Sequence, residues 1–260
     1  MVRILDPQCV AKTFPDYFET LFQVAKPTQV PVIAIDGPTA SGKGTLAAQV
    51  AEALGYHYLD SGALYRVTAH AAVQAGLTLD SEHETAIAEV ARRMSLRFEG
   101  DRVWLDQHDV TEAIRSETGG MRASQVSALP AVRAALLDLQ RGFARLPGLV
   151  ADGRDMGTVI FPRADLKVFL TASATARAQR RHAQVLQRGQ SAVFEELLAD
   201  LQARDARDSH RSAAPLRQAD DAMALDNTRV SIEDSVTQVL SWWGVKRAAP
   251  DGRGPVNRPR

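Results

Sequence analysis

From residue 31 onward, short apolar runs alternate with longer stretches of helical periodicity. Pro31-Val32-Ile33-Ala34-Ile35-Asp36 is a β-branched apolar run that stops at Gly37, the pattern of a strand buried on both faces. Thr45–Leu54 predicts a helix stopped by Gly55, Tyr56–Asp60 a second strand, and Leu64–Ala75 a helix ending at Gly76. Pro130 opens a further helix at its first turn, and Gly148 lies beyond its end. Strand patterns return at Leu149–Ala151, Leu166–Thr171 and Ala222–Asp226. Helices are expected over Thr175–Gln187, Val193–Asp208 and Ile232–Trp243. Five short apolar strands separated by helices predict an α/β fold, a parallel sheet covered on both faces.

The alternation breaks over residues 77–128. Glu84–Met94 reads as a helix, and Ser95–Glu99 with Arg102–Asp106 alternates apolar and polar residues around Gly100-Asp101, a hairpin signal. This stretch is expected to be an insert with its own small antiparallel sheet. Residues 1–30, with Pro7, Pro15 and Pro27, find no partner element, and residues 247–260 are nearly devoid of apolar side chains. The first is expected to be a flexible extension and the second a disordered tail.

Composition narrows the classes. With 45% hydrophobic and 24% charged residues in a chain of 260, wholesale disorder is excluded. No apolar run approaches the roughly 18–20 residues of a membrane helix, and the first residues do not read as a secretory signal. The cytoplasm is therefore the expected compartment. Cys9 is the one cysteine, which excludes an internal disulfide and any cysteine-cluster zinc site. Lys+Arg and Asp+Glu stand at 31 each, a balance that argues against a nucleic-acid-coating protein. Only five of the basic residues are lysine (Lys12, Lys26, Lys43, Lys167, Lys246) and the remainder are arginine, a bias that fits either codon usage or bidentate phosphate binding.

Ligands of parallel sheets bind beyond the carboxyl ends of the strands, which here read Asp36-Gly37, Asp60-Ser61, Asp152-Gly153 and Asp226-Asn227. After the first strand comes Gly37-Pro38-Thr39-Ala40-Ser41-Gly42-Lys43-Gly44-Thr45, which opens a helix. That is the context of a phosphate-binding loop: amides converge on anionic oxygens, and Lys43 is a point charge for the outer phosphates of a nucleotide. The residue after the lysine is Gly44, where Ser or Thr usually contacts magnesium, and the hydroxyl comes one place later at Thr45. The Gly-Lys-Gly-Thr ending suits a small-molecule kinase better than a GTPase switch or a motor, and leaves the magnesium ligands open.

A kinase that joins two polyanions needs further cations at the strand ends. Ser61 and Arg66 follow the second strand, Ser61 serving either a ligand or the helix cap. Asp152-Gly153-Arg154-Asp155-Met156-Gly157 follows the third, where a plain turn explains the glycines but not Asp-Arg-Asp. Arg204, Asp208 and Arg211 stand at steps of four and three on one helix face; the bland alternative is a salt-bridge ladder with Asp205 and Arg207. Arg177, Arg180, Arg181 and Arg188 before Gly189 read as a mobile basic lid or as an exposed helix face.

Together these segments resemble the bacterial cytidylate kinases. The shared segments are Ile-Asp-Gly-Pro at 35–38, Leu-Asp-Ser-Gly-Ala-Leu-Tyr-Arg at 59–66 and Ala-Ser-Gln-Val at 123–126, then Ala-Asp-Gly-Arg-Asp-Met-Gly-Thr-Val at 151–159 and Arg-Asp-Ala-Arg-Asp-Ser-His-Arg at 204–211. The resemblance runs from residue 31 to about 240. It implies a three-layer P-loop kinase fold over residues 31–246, with the insert at about 77–128 enlarging the monophosphate site and a lid at about 177–192. It also implies transfer of the γ-phosphate of Mg-ATP to CMP or dCMP in pyrimidine nucleotide metabolism, by a monomer without nucleic-acid or membrane partners. By position, Gly37 to Thr45 would hold the ATP phosphates. Ser61, Arg66 and Arg154 would surround the CMP phosphate, and Ser124, Arg133 and Asp155 would read the cytosine. Arg204, Asp208 and Arg211 would line the sugar and phosphate side. Lys43, Arg154, Arg204 and Arg211 are the expected catalytic cations. The rival enzymes are UMP/CMP, adenylate and shikimate kinases, and the rival non-enzyme is an RNA-contacting module.

A second resemblance covers residues 6–18, Asp-Pro-Gln-Cys-Val-Ala-Lys-Thr-Phe-Pro-Asp-Tyr-Phe, which are similar to the C-terminal end of enolpyruvylshikimate-phosphate synthases. It implies a fusion remnant or an upstream-extended start; the rest of that family's site is missing, so Lys12 is given no role.

Overall fold

The computed structural model describes residues 30–100, 102–187, 189 and 191–248. The expectations for residues 1–29, Arg188 and residues 249–260 lie outside it.

Five strands form one parallel sheet: β1 (Val32–Asp36), β2 (His57–Asp60), β6 (Leu149–Gly153), β7 (Leu166–Thr171) and β8 (Met223–Asp226), in the order β2-β6-β1-β7-β8. β1 is central, pairing Ile33 with Val150 on one side and Leu166 on the other. All five of its residues are buried, as the unbroken apolar run requires.

Side-chain alternation along β1 divides the core into two layers. Ile33 and Ile35 face α1 (Lys43–Leu54) and α9 (Ile232–Ala248), meeting Leu46, Val50, Val239 and Trp243. Val32 and Ala34 belong to the opposite layer, with α2 (Ser61–Gln74), α3 (Glu84–Arg93), α5 (Glu117–Val126) and α6 (Pro130–Arg141). Both isoleucines are fully buried, and each contributes on the order of 2–3 kcal/mol. The expected three layers are present.

Residues 77–128 contain the expected hairpin and more. β3 (Leu96–Glu99) pairs antiparallel with β4 (Arg102–Leu105), and a third strand, β5 (His108–Asp109), joins after a turn through Asp106 and Gln107, whose φ values are 47° and 72°. Two residues are too short a run for an alternation to show in sequence. α3 buries Ile87, Ala88 and Ala91 in the main core, while the small sheet packs its own cluster, Val103, Leu105 and Val110, with Ile114 of α4 (Thr111–Arg115).

Some boundaries differ from the sequence reading. α1 begins at Lys43 because Gly42 supplies the turn at φ 87°. α2 begins at Ser61, and its cap is Asp60, whose Oδ1 accepts from the Ala63 amide at 3.0 Å; Ser61 caps nothing. α9 continues to Ala248, past the expected end at Trp243, and the Arg247 guanidinium lies 5.5 Å from the Trp243 ring centre, so the stretch read as tail starts inside a helix.

Asp36 ties the end of β1 to the π-helical turn Met156–Ile160 that follows β6. Its two oxygens accept the amides of Met156 (2.8 Å) and Gly157 (2.7 Å). Burial pushes its pKa from 3.8 to about 6, against those two hydrogen bonds, which lower it. The folded state therefore holds this proton more tightly than the unfolded chain. Its contribution to stability should fall, by at most about 3 kcal/mol, as pH rises from about 4 to about 6, and stay level above that. Thermal melts of the parent and Asp36→Asn across this range check it: the variant's melting temperature should lose that slope.

Candidate active site

The phosphate loop begins against the sheet. A Cβ at Gly37 would lie 2.2 Å from the Leu170 carbonyl oxygen, so only glycine lets the chain leave β1 this close to β7. Ala40 (φ 56°) and Gly42 (φ 87°) then take left-handed conformations, which alternate with Thr39 and Ser41. Alternation of this kind gathers successive amides into an anion-binding concavity. Asn227, at the end of β8, donates its Nδ2 to the Ser41 carbonyl at 2.9 Å. Lys43 and the α1 amino terminus close the loop.

Gly44 has a local cause. A Cβ there would lie 3.3 Å from an Asp152 carboxylate oxygen and 3.5 Å from the Tyr58 hydroxyl, which leaves little room for the usual Ser or Thr. Burial, and then the neighbouring Asp60 carboxylate, push Asp152 well above the ordinary carboxylate range, while Lys43 and Arg154 pull it back. Burial and the Arg154 charge lower the Lys43 ammonium, opposed by Asp152, Asp60 and Asp208.

Next to the loop, a cleft of about 240 Å³ opens at the carboxyl ends of β1, β2 and β6. Thr39, Ala40, Lys43 and Gly44 form one end. All nine residues expected on the acceptor side line the remainder: Ser61, Arg66, Ser124, Arg133, Arg154, Asp155, Arg204, Asp208 and Arg211. Ser61 Oγ donates to the Asp152 carbonyl at 2.7 Å, a close approach that a Cβ at Gly153 would obstruct at 2.6 Å. Arg133 pairs with the buried Asp155, donates Nη1 to the Ser127 carbonyl (3.1 Å) and sits 5.6 Å from the Tyr65 ring centre. Arg211 Nη2 lies 3.8 Å from the other Asp155 oxygen, and Arg66 donates to the Ile114 carbonyl at 3.0 Å.

α8 (Phe194–His210) carries no internal ladder through these positions; each residue reaches another element. Arg204 donates to the Gly120 carbonyl (2.8 Å), Arg207 to Ser124 Oγ (2.9 Å), and Asp208 accepts from Arg154 Nε (2.7 Å). A Cβ on Gly120 would stand 3.0 Å from the Arg204 guanidinium, so the bare backbone lets Arg204 approach the Gly120 carbonyl without shifting. Burial and the charges of Arg154 and Arg66 lower Arg204, and burial and Arg133 lower Arg211. Five guanidiniums thus crowd one cleft, an arrangement that an anion relieves.

The described lid arginines differ in burial and partners. Arg177, on α7 (Ala174–Gln187), is 4% exposed and grips Asp205 on α8, which corrects its reading as an exposed lid residue. Burial of that turn between α8 and the loop is a tertiary effect. Arg180 donates to the side chain (3.1 Å) and carbonyl (2.5 Å) of Asn227, and Arg181 to Gln184 (3.3 Å). Thr45 is exposed on α1, and Ser41 is fully buried with its hydroxyl unpaired. Asp205, Arg207, Asn227 and Gly120 were not singled out as site residues from sequence. Asn227 stood at a flagged strand end, and Asp205 and Arg207 carried only the ladder reading.

A glycine-rich amide nest with a lysine, opening a helix and facing a guanidinium-lined cleft across the ends of a parallel sheet, places the protein in the class of P-loop phosphotransferases. The sequence model of the cytidylate kinase family matches residues 33–243, and the chain belongs to that family. It is similar to the cytidylate kinase of Cupriavidus pinatubonensis (56% identity over 222 residues, 85% of this chain and 100% of that protein) and to that of Chromobacterium violaceum (53% over 220 residues, 85% and 98%). Among solved structures, the shikimate kinase of Acinetobacter baumannii in complex with shikimate aligns over 88% of this chain and 99% of that one, with a TM-score of 0.41 at 16% identity. The resemblance drawn from the motifs at 59–66 and 151–159 is thus a family relationship.

The Arg133–Asp155 pair is buried on both sides, whereas Arg93–Glu89 is exposed. Removing one partner of a buried pair strands a charge. Arg133→Met should therefore cost about 3 kcal/mol or more, and Arg93→Met should leave the denaturation midpoint unchanged. Urea unfolding of the two variants checks the contrast.

Proposed function

We propose that this protein transfers the γ-phosphoryl group of ATP to the phosphate of CMP or dCMP, giving CDP or dCDP. The observation that carries the reading is the continuity of one cleft from Lys43 and the loop to the Arg66, Arg154, Arg204 and Arg211 guanidiniums. Two polyanions laid end to end in it meet cations along their length. Membership of the cytidylate kinase family supports the acceptor.

The acceptor oxygen of a nucleoside monophosphate is already anionic at pH 7, so in-line transfer needs no dedicated general base. Catalysis is positioning and charge neutralisation. The loop amides and Lys43 orient the donor phosphates. Arg154, Arg204 and Arg211 offset the repulsion between donor and acceptor. Asp208, held by Arg154, is placed for ribose hydroxyls. Among the described residues Asp155 Oδ1 has Arg211 at 3.8 Å and no closer donor, and that oxygen suits the exocyclic amine of cytosine. Ser124 and Arg133 complement the ring carbonyl and nitrogen.

The magnesium ion is proposed to enter with ATP. Among the described residues no three His, Cys, Asp or Glu side chains cluster as a metal site, and the Asp152 carboxylate lies beside Gly44 of the loop. Such a donor set fits an ion held mainly by phosphate oxygens and water. When bound, the ion supplies charge neutralisation on the transferring phosphate.

An acceptor panel in a coupled ADP assay tests the function. CMP and dCMP should exceed UMP, AMP and shikimate in kcat/KM by about 100-fold, because a ring carbonyl in place of the cytosine amine would set an acceptor against Asp155 Oδ1. A lead by UMP or shikimate would replace the proposal with one of its rivals. In the same assay Lys43→Met should lower kcat about 100-fold or more while leaving thermal stability at or above the parent's. Near-parental turnover would remove Lys43 from its role.

A further inference from the structure

The alternating left-handed residues turn the amides of the phosphate loop inward, so its carbonyls face outward and need donors. Two are met by buried side chains from other elements. Asn227 holds the Ser41 carbonyl, and Arg177 Nη1 donates to the Thr39 carbonyl at 3.1 Å. The Arg177 fork is divided three ways. Nε donates to the Ala172 carbonyl beyond β7 (3.0 Å), and Nη1 and Nη2 donate to the two oxygens of Asp205 (3.0 and 2.5 Å). Asp205 in turn lies on α8 beside Arg204 and three residues before Asp208, both of which line the acceptor side of the cleft.

From this we infer that Asp205 is a positioning residue for the donor half of the site. The carboxylate belongs to the acceptor helix, yet through Arg177 it holds the Thr39 carbonyl outward and keeps the amide nest formed before ATP arrives. A planar fork has the geometry to bond two carboxylate oxygens and a carbonyl together, and an ammonium does not. The pair is buried on the Arg177 side and partly exposed on the Asp205 side, and such an ion pair is a poor source of stability, which favours a geometric role for this one. A helix that carries acceptor-side groups thereby sets the affinity of the donor loop. The inference rests on the reading that the loop takes ATP.

The test is calorimetric titration of the full chain with the magnesium complex of AMP-PNP, without CMP, alongside steady-state kinetics. Asp205→Asn should weaken AMP-PNP binding about tenfold and raise the KM for ATP by a similar factor, with the KM for CMP changing less. Asp205→Glu, which restores the carboxylate, should recover most of the loss. AMP-PNP affinity within twofold of the parent's, or an effect confined to the KM for CMP, would overturn the inference. If Asp205→Asn does not fold, Arg177→Lys, which keeps the charge and loses the fork, is read by the same criteria. A parent protein that binds no AMP-PNP refutes the ATP reading itself. A parent that binds it, with variants that bind it equally, refutes only the role of Asp205.

Discussion

An anion-binding loop made of backbone must point its amides one way, and its carbonyls then point the other. That constraint organises the centre of this molecule. Thr39 and Ser41 turn their carbonyls toward Arg177 and Asn227, which lie more than 130 residues further along the chain. The parallel sheet brings them there. β7 sits beside β1 and β8 beside β7, so residues that follow those strands reach the loop that follows β1. The contact between Gly37 and the Leu170 carbonyl fixes where that loop departs. Both outward carbonyls are held by side chains from other elements, and fixed positioning of the phosphates is what in-line transfer requires.

Electrostatic crowding is the second organising fact. The cleft gathers Lys43 and five arginines around four carboxylates, Asp60, Asp152, Asp155 and Asp208. The carboxylates keep the guanidiniums oriented in the open site: Arg133 through Asp155, Arg154 through Asp208. The remaining excess of positive charge is held in place by backbone carbonyls such as those of Gly120 and Ile114. Glycines mark where these groups approach the chain most closely. Gly153 admits Ser61 and Gly120 admits Arg204, so residues that resemble turn glycines in sequence are spacers of the site.

Asp36 performs a comparable task beneath the cleft. Its carboxylate accepts two amides of the turn after β6, which carries Arg154 and Asp155 into position. Burying that charge raises its pKa and sacrifices some stability for a fixed turn. The small sheet of residues 96–109 has its own apolar cluster, whereas α3 is part of the main core.

Periodicity and local chemistry determined much of this. The five strands, the glycine-rich loop and the charged residues that line the cleft at the strand ends were legible because burial on both faces, glycine placement and charge at strand termini are written in neighbouring residues. Sequence spacing also put Arg204 and Asp208 on one helix face, whereas Arg211, expected on the same face, follows the end of α8 with extended backbone. The destinations of their neighbours were decided only in three dimensions. Asp205 and Arg207 have the spacing of an ordinary salt-bridge ladder, and Arg177 that of an exposed face, yet each bonds to an element distant in the chain. The two-residue β5 and the capping of α2 by Asp60 rather than Ser61 escaped for a related reason, since neither leaves a pattern long enough to read. A side chain's local pattern limits which face of its element it occupies; which partner waits on that face depends on how the sheet orders its strands, and that order is a property of the packed whole.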